Sequence, residues 1–127
     1  DVKKLRRLEK IIHPFVRKEI IERIKFYQKQ QRVKAVVLDV PLLFESKLKK
    51  EVDYTVVVKA TQKEQIKRAG KQRQISQADA LRRIRQQMPL KEKVRRADFV
   101  IDNSGTKTKL KKQVVDIWQK MLQMEKK

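Results

Sequence analysis

The sequence predicts an α/β fold with a parallel sheet flanked by helices. Two runs, KAVVLD (34–39) and YTVVVK (54–59), are continuous and β-branched, the pattern of strands buried on both faces. A third, shorter run is DFVID (98–102). The stretches between them carry helical periodicity, and strands alternating with helices imply parallel pairing through crossover helices.

Each element has its own signal. Leu5, Leu8, Ile11 and Ile12 are spaced i, i+3, i+6 and i+7, one apolar helix stripe. Pro14 interrupts it. Proline fits best at a first helical position, so a second helix is expected from Pro14 to about Gln31, with Phe15, Ile20, Ile21, Ile24 and Tyr27 on its apolar face. After the strand over 34–39, Pro41 stops the ladder and turns the chain. The strand over 54–59 leads to a helix from about Gln62 to Lys71, then one from Ser76 to Gln87. Ser76 is a good N-cap, and Asp79 takes the capping-box position. A short helix from Pro89 to Arg95 precedes the last strand, and a final helix runs from about Lys107 to Met124. Its apolar stripe is Leu110, Val114, Ile117, Trp118 and Met121.

Composition narrows the chemistry. The 127 residues hold 35 Lys+Arg against 15 Asp+Glu, a formal net charge of +20, which attracts polyanions. There is no cysteine, hence no disulfide framework and no thiolate metal site, and the one histidine, His13, excludes a multi-histidine cluster. No apolar run approaches the ~18 residues of a membrane span, and the opening residues carry no signal-peptide pattern. A cytoplasmic protein without a membrane partner is the expectation. The chain begins without Met and already in helical periodicity, as expected of a piece of a larger protein.

In open parallel α/β sheets ligands bind at the carboxyl ends of the strands. Asp39, Glu45, Asp102 and Asn103 fall at such ends. An acid where Asp39 stands helps hold a magnesium shell in phosphoryl-transfer folds, or it caps the strand end. Glu45 orients a substrate or caps the next helix. Asn103 and Gly105 suit a tight loop, either an ordinary turn or one where backbone approaches a ligand. Arg68, Arg73, Arg82, Arg83 and Arg85 lie in two consecutive helical segments. They form either a solvated basic face or a set of phosphate contacts on a mobile helical hairpin. His13 is a structural residue or a ligand contact near a helix N-terminus.

LEKIIHP, VVLDVPLLFE, VDYTVVV, QIKR and ALRRIRQQMPLKEKVRRADFVIDNSGT stand in this order along the chain. In that order and spacing the sequence resembles the bacterial dephospho-CoA kinase family over nearly its whole length. HP, PLLFE and AD-x-VIDNSG together are specific. The resemblance implies a P-loop-kinase-like α/β core with part of a helical substrate domain and a helical lid. It implies transfer of the γ-phosphoryl of ATP, with Mg2+, to the ribose 3′-hydroxyl of dephospho-CoA, the final step of coenzyme A biosynthesis. It assigns residues 1–32 to the substrate-binding part and 33–127 to the core, with the lid inserted at about 62–88. It places His13, Pro14, Pro41, Leu42, Leu43 and Glu45 on the acceptor side, Arg68 and Arg73 in the lid as catalytic cations, Asn103 and Gly105 near ATP, and Asp39 at the metal through water.

Two departures stand out. The family's phosphate loop, G-x-x-x-x-G-K-[ST], is absent, the only glycines being Gly70 and Gly105. The family's acidic residue near the acceptor hydroxyl also maps upstream of Asp1. The 127 residues are therefore expected not to turn over alone. The second lid arginine of the family pattern is Gln72 here, with Arg73 beside it, about 100° round the helix. Two other readings stay open. One is a basic nucleic-acid-binding module, disfavoured by low aromatic content without a stacking platform; the other is a non-catalytic pseudoenzyme.

Overall fold

A computed structural model describes residues 1–125, with side chains described to Met124. The chain divides into two compact units, Asp1–Leu43 and a second beginning at Phe44.

The first unit is built on one long helix, α1 (Val2–Gln28). Asp1 caps it, its carboxylate accepting from the Lys3 N–H at 2.9 Å. The break expected at Pro14 does not occur: the proline lies inside α1. Its ring fixes φ at a helical value and forfeits one hydrogen bond. The flanks, rich in helix-forming Lys, Arg, Glu and Leu, carry the helix through, helped by the i,i+4 ion pair of Glu19 with Arg23 at 2.8 Å. No residue of α1 is buried.

The strand expected over 34–39 is also not formed. The segment has no regular structure and is unpaired, and Val37 is 87% exposed. A continuous β-branched run records a preference for burial on both faces, whereas a strand also needs a ladder partner. Among the described residues none pairs with it.

The second unit starts with a turn and a short 3-10 helix, Lys47–Glu51, whose Ser46 cap accepts from the Leu48 N–H. The sheet follows: β1 (Val56–Lys59) and β2 (Phe99–Asp102) run parallel, with Val56 opposite Phe99 and Lys59 opposite Asp102. Burial on β1 alternates. Val57 is 8% exposed and Val58 55%, so the strand covers one face rather than the two that its apolar run suggests. Between the strands lie α2 (Gln62–Arg73), α3 (Gln77–Gln86) and α4 (Leu90–Arg96); after β2 comes α5 (Lys107–Glu125). α3 packs on α2, α4 on β1, and α5 on β2. Leu48, Val57, Ala80 and Ile101 are the buried apolar residues. The Ser76 hydroxyl accepts from the Asp79 N–H at 3.1 Å, as the capping pattern predicts.

Gly70 sits inside α2 with ordinary φ, and a Cβ there would meet nothing nearer than the Ile75 carbonyl oxygen at 3.9 Å. Gly70→Ala is therefore expected to stabilise the second unit by about 0.5–1 kcal/mol, read as a raised urea midpoint. An unchanged or lowered midpoint would contradict this.

Candidate functional site

The parallel sheet presents its carboxyl ends, Lys59 and Asp102, side by side. The Asn103 N–H continues the ladder to the Lys59 carbonyl at 2.8 Å. The Asp102 carboxylate turns back to accept from the Ser104 N–H at 2.9 Å, and Lys59 Nζ lies 3.9 Å from it. These contacts, the Ser104 backbone first, hold the Asp102 carboxyl below its usual range. The Ser104 hydroxyl in turn accepts from the Thr61 N–H at 3.3 Å. Thr61 is the N-cap of α2, its Oγ accepting from the Glu64 N–H. The turn after β2 and the first turn of α2 are thereby joined.

Gln113 of α5 secures the other edge of that turn. Its amide oxygen accepts from the Asp102 N–H and its amide nitrogen donates to the Asp102 carbonyl, both at 2.9 Å. A side chain thus stands in for a neighbouring strand at the one residue where β2 gives way to the turn. Asn103 and Gly105 sit in this braced loop.

Arg68 lies one turn into α2 beyond Glu64, its guanidinium 3.3 Å from the Glu64 carboxylate and its side chain about one third exposed. Arg73 is the last residue of α2, exposed, and is followed by Gln74 in the left-handed region (φ 51°). Gln72 and Arg73 are consecutive helical residues, so they project about 100° apart. Among the other arginines of the hairpin, Arg82 pairs with Asp79 at 2.8 Å.

Glu45 pairs with Lys93 of α4, Oε2 to Nζ 3.9 Å. Its carboxylate is matched by a cation. His13 and Pro14 lie within α1, so the helix N-terminus expected beside them is not there. Asp39 is exposed on the unpaired segment, not at a strand end, and Pro41, Leu42 and Leu43 form the turn that follows. These six residues belong to the first unit, whereas Glu45, Arg68, Arg73, Asn103 and Gly105 belong to the second. Among the described residues no three acidic or imidazole side chains converge to hold a metal. No described helix is long and apolar enough to cross a membrane.

Sequence reading missed the clasp at the opposite end of the sheet. The Asp98 carboxylate accepts from both the N–H and the hydroxyl of Thr55, at 2.7 and 2.8 Å. The Thr55 hydroxyl oxygen accepts from the Asp98 N–H at 3.1 Å, and Thr55 is only 3% exposed. The signal was available: Thr55 and Asp98 each stand immediately before an apolar strand run. Gln113 and Lys93 left no such trace, since each looks like an ordinary polar residue on a helix.

A parallel sheet with a braced turn at its carboxyl edge, and a helical pair joined to that edge, defines an α/β protein. The comparison with known families narrows the class. The model of the dephospho-CoA kinase family matches residues 1–109, and the chain belongs to that family. A dephospho-CoA kinase of Bacillus cereus (strain ATCC 10987) is 48% identical over 107 residues, 84% of this chain and 53% of the relative. One from Carboxydothermus hydrogenoformans is 46% identical over 117 residues, 92% of this chain and 56% of the relative. The crystal structure of TT1252 from Thermus thermophilus is similar with a TM-score of 0.78 and 31% identity, over 96% of this chain and 61% of that one. The chain thus spans somewhat over half the length of the curated relatives it matches.

Proposed function

We propose that this chain serves the ATP-dependent phosphorylation of the ribose 3′-hydroxyl of dephospho-CoA to coenzyme A, in the cytoplasm, contributing acceptor-side and lid elements. The observation that carries the reading is the Thr61–Ser104 hydrogen bond. It joins the base of the lid helix to the turn bearing Asn103 and Gly105, so ATP seated on that turn lies at the foot of the helix that carries Arg68.

Phosphoryl transfer asks the protein mainly for positioning and charge stabilisation. Asn103 and Gly105 offer the adenine side a turn fixed by Asp102 and Gln113. Arg68 offers a permanent positive charge, held in place by Glu64 until phosphate oxygens compete for it. Arg73 adds a second, more exposed cation. Glu45 is matched by Lys93 and therefore orients the acceptor rather than taking its proton. The family resemblance also assigns acceptor contacts to His13, Pro14 and the Pro41–Leu43 turn. ATP brings Mg2+ with its phosphates, and Asp39 would meet it only through water. The charge of +20 also supports weak, non-specific polyanion binding that falls steeply with salt.

Amide NMR titration of the 127-residue chain tests the assignment. ATP is expected to shift Asn103, Ser104 and Gly105, and dephospho-CoA to shift residues 42–45. Perturbation of neither set, or of both by either ligand alike, would overturn the reading.

A further inference from the structure

Lys93 is unusual in a chain whose cations are mostly exposed: its side chain is only 12% accessible. A lysine whose stem is largely covered still needs partners for its ammonium donors. One partner is the Gln87 side-chain oxygen at 2.9 Å. Another is the Glu45 carboxylate at 3.9 Å, itself only 26% exposed. Gln87 is the C-cap of α3, the residue at which the helical pair ends and the chain turns toward α4. Glu45 closes the PLLFE turn, 48 positions before Lys93. One ammonium on α4 therefore meets two places far apart in sequence: the end of the acceptor-side turn and the exit hinge of the hairpin.

The alternatives elsewhere are weaker. The 530 Å³ hollow between α2 and α3, lined by Ile66, Leu81 and two lysines, is a shallow groove with nothing to mark an occupant. The exposed apolar side of α1 likewise carries no indication of what covers it.

We propose that Lys93 is a positioning residue that locks Glu45 and the Gln87 hinge into one geometry, so that the Glu45 end of the acceptor-side turn is set by the same contact that anchors the hairpin. The role in acceptor binding rests on the functional reading above; the lock itself does not. A neutral side chain of equal length would leave Glu45 an unmatched carboxylate and Gln87 without its donor. Arginine would keep the charge and reach both oxygens.

The experiment has two arms, both on the full 127-residue chain. The first is independent of any ligand. Urea unfolding of Lys93→Met, Glu45→Gln, Gln87→Leu and the paired variants gives double-mutant cycles. Coupling of at least fivefold in the unfolding constant is expected for Lys93 with each partner. In amide spectra, Lys93→Met is expected to shift residues 44–46 and 86–88 together, and Lys93→Arg to restore both sets. Additive variants, or spectra in which only α4 responds, would overturn the lock. The second arm is dephospho-CoA affinity by calorimetry. Lys93→Met is expected to weaken it at least tenfold with ATP affinity unchanged, and Lys93→Arg to recover it to within about threefold. Equal affinity in wild type and Lys93→Met would overturn the positioning role. Absence of dephospho-CoA binding in the wild-type chain, with coupling intact, would overturn the acceptor reading and leave the lock standing.

Discussion

Replacing Asp98 by alanine is expected to destabilise the unit that begins at Phe44 by about 3 kcal/mol, the low end for two lost hydrogen bonds to a charged acceptor. Its carboxylate is the acceptor for both the N–H and the hydroxyl of Thr55. Thr55 is 3% exposed while Asp98 is exposed, so water replaces what is removed only in part. The Thr55 carbonyl still accepts from the Asp98 and Phe99 N–H groups, which is why loss of register rather than complete unfolding is the nearest alternative state. Urea unfolding of Asp98→Ala and Thr55→Val measures the effect; a change under 1 kcal/mol for Asp98→Ala would show that the clasp is incidental. A pH arm carries the sign. The Asp98 carboxyl is held below its ordinary value, first by the Thr55 hydroxyl and then by the Thr55 N–H. A group depressed in the folded state stabilises fully above its unfolded pKa, about 3.9. That stabilisation is lost as pH falls from there through the lower folded value. Wild type is therefore expected to lose stability on acidification below about pH 4 more steeply than Asp98→Asn, which has no charge to titrate at this position.

The clasp also shows where sequence reading stops. The helices over 62–73, 77–86 and 107–125 were legible because each announces itself locally, by periodicity and by caps such as Ser76. β1 and β2 were legible because their apolar runs found each other as partners. KAVVLD has the same local signature and no partner among the described residues, so its pattern did not become a strand. Pro14 misled for the opposite reason: a local breaker was outweighed by the continuous helical propensity around it. Of the site, the DNSG turn and Arg68 could be placed from sequence. Their supports could not. Gln113, Ser104 and Lys93 act through partners between 6 and 48 positions away, and nothing local distinguishes a glutamine that will clasp a strand edge from one that will face water.

Arg68 carries the largest effect expected on activity. The chain has no G-x-x-x-x-G-K-[ST] pattern, so alone it is expected to give no dephospho-CoA-dependent ADP release. Joining it behind the unmatched part of the Bacillus cereus relative is expected to give release, because the resemblance puts the phosphate loop there. In that chimera Arg68→Ala is expected to lower kcat by about 10³-fold, the low end of what a phosphoryl-stabilising arginine contributes. Lysine at this place should recover only part of it, since a point charge replaces a bidentate fork. Glu64 lies 3.3 Å from the Arg68 guanidinium, and a polyphosphate is expected to outcompete that single carboxylate. Arg73, 100° from the face of Gln72 and exposed at the end of α2, should matter less, about tenfold in kcat, well short of a fully engaged arginine. Gln72→Arg should then raise kcat by supplying charge on the productive face. A cooperatively folded chimera in which Arg68→Ala changes kcat less than Arg73→Ala would reverse this assignment and make Arg73 the lid cation.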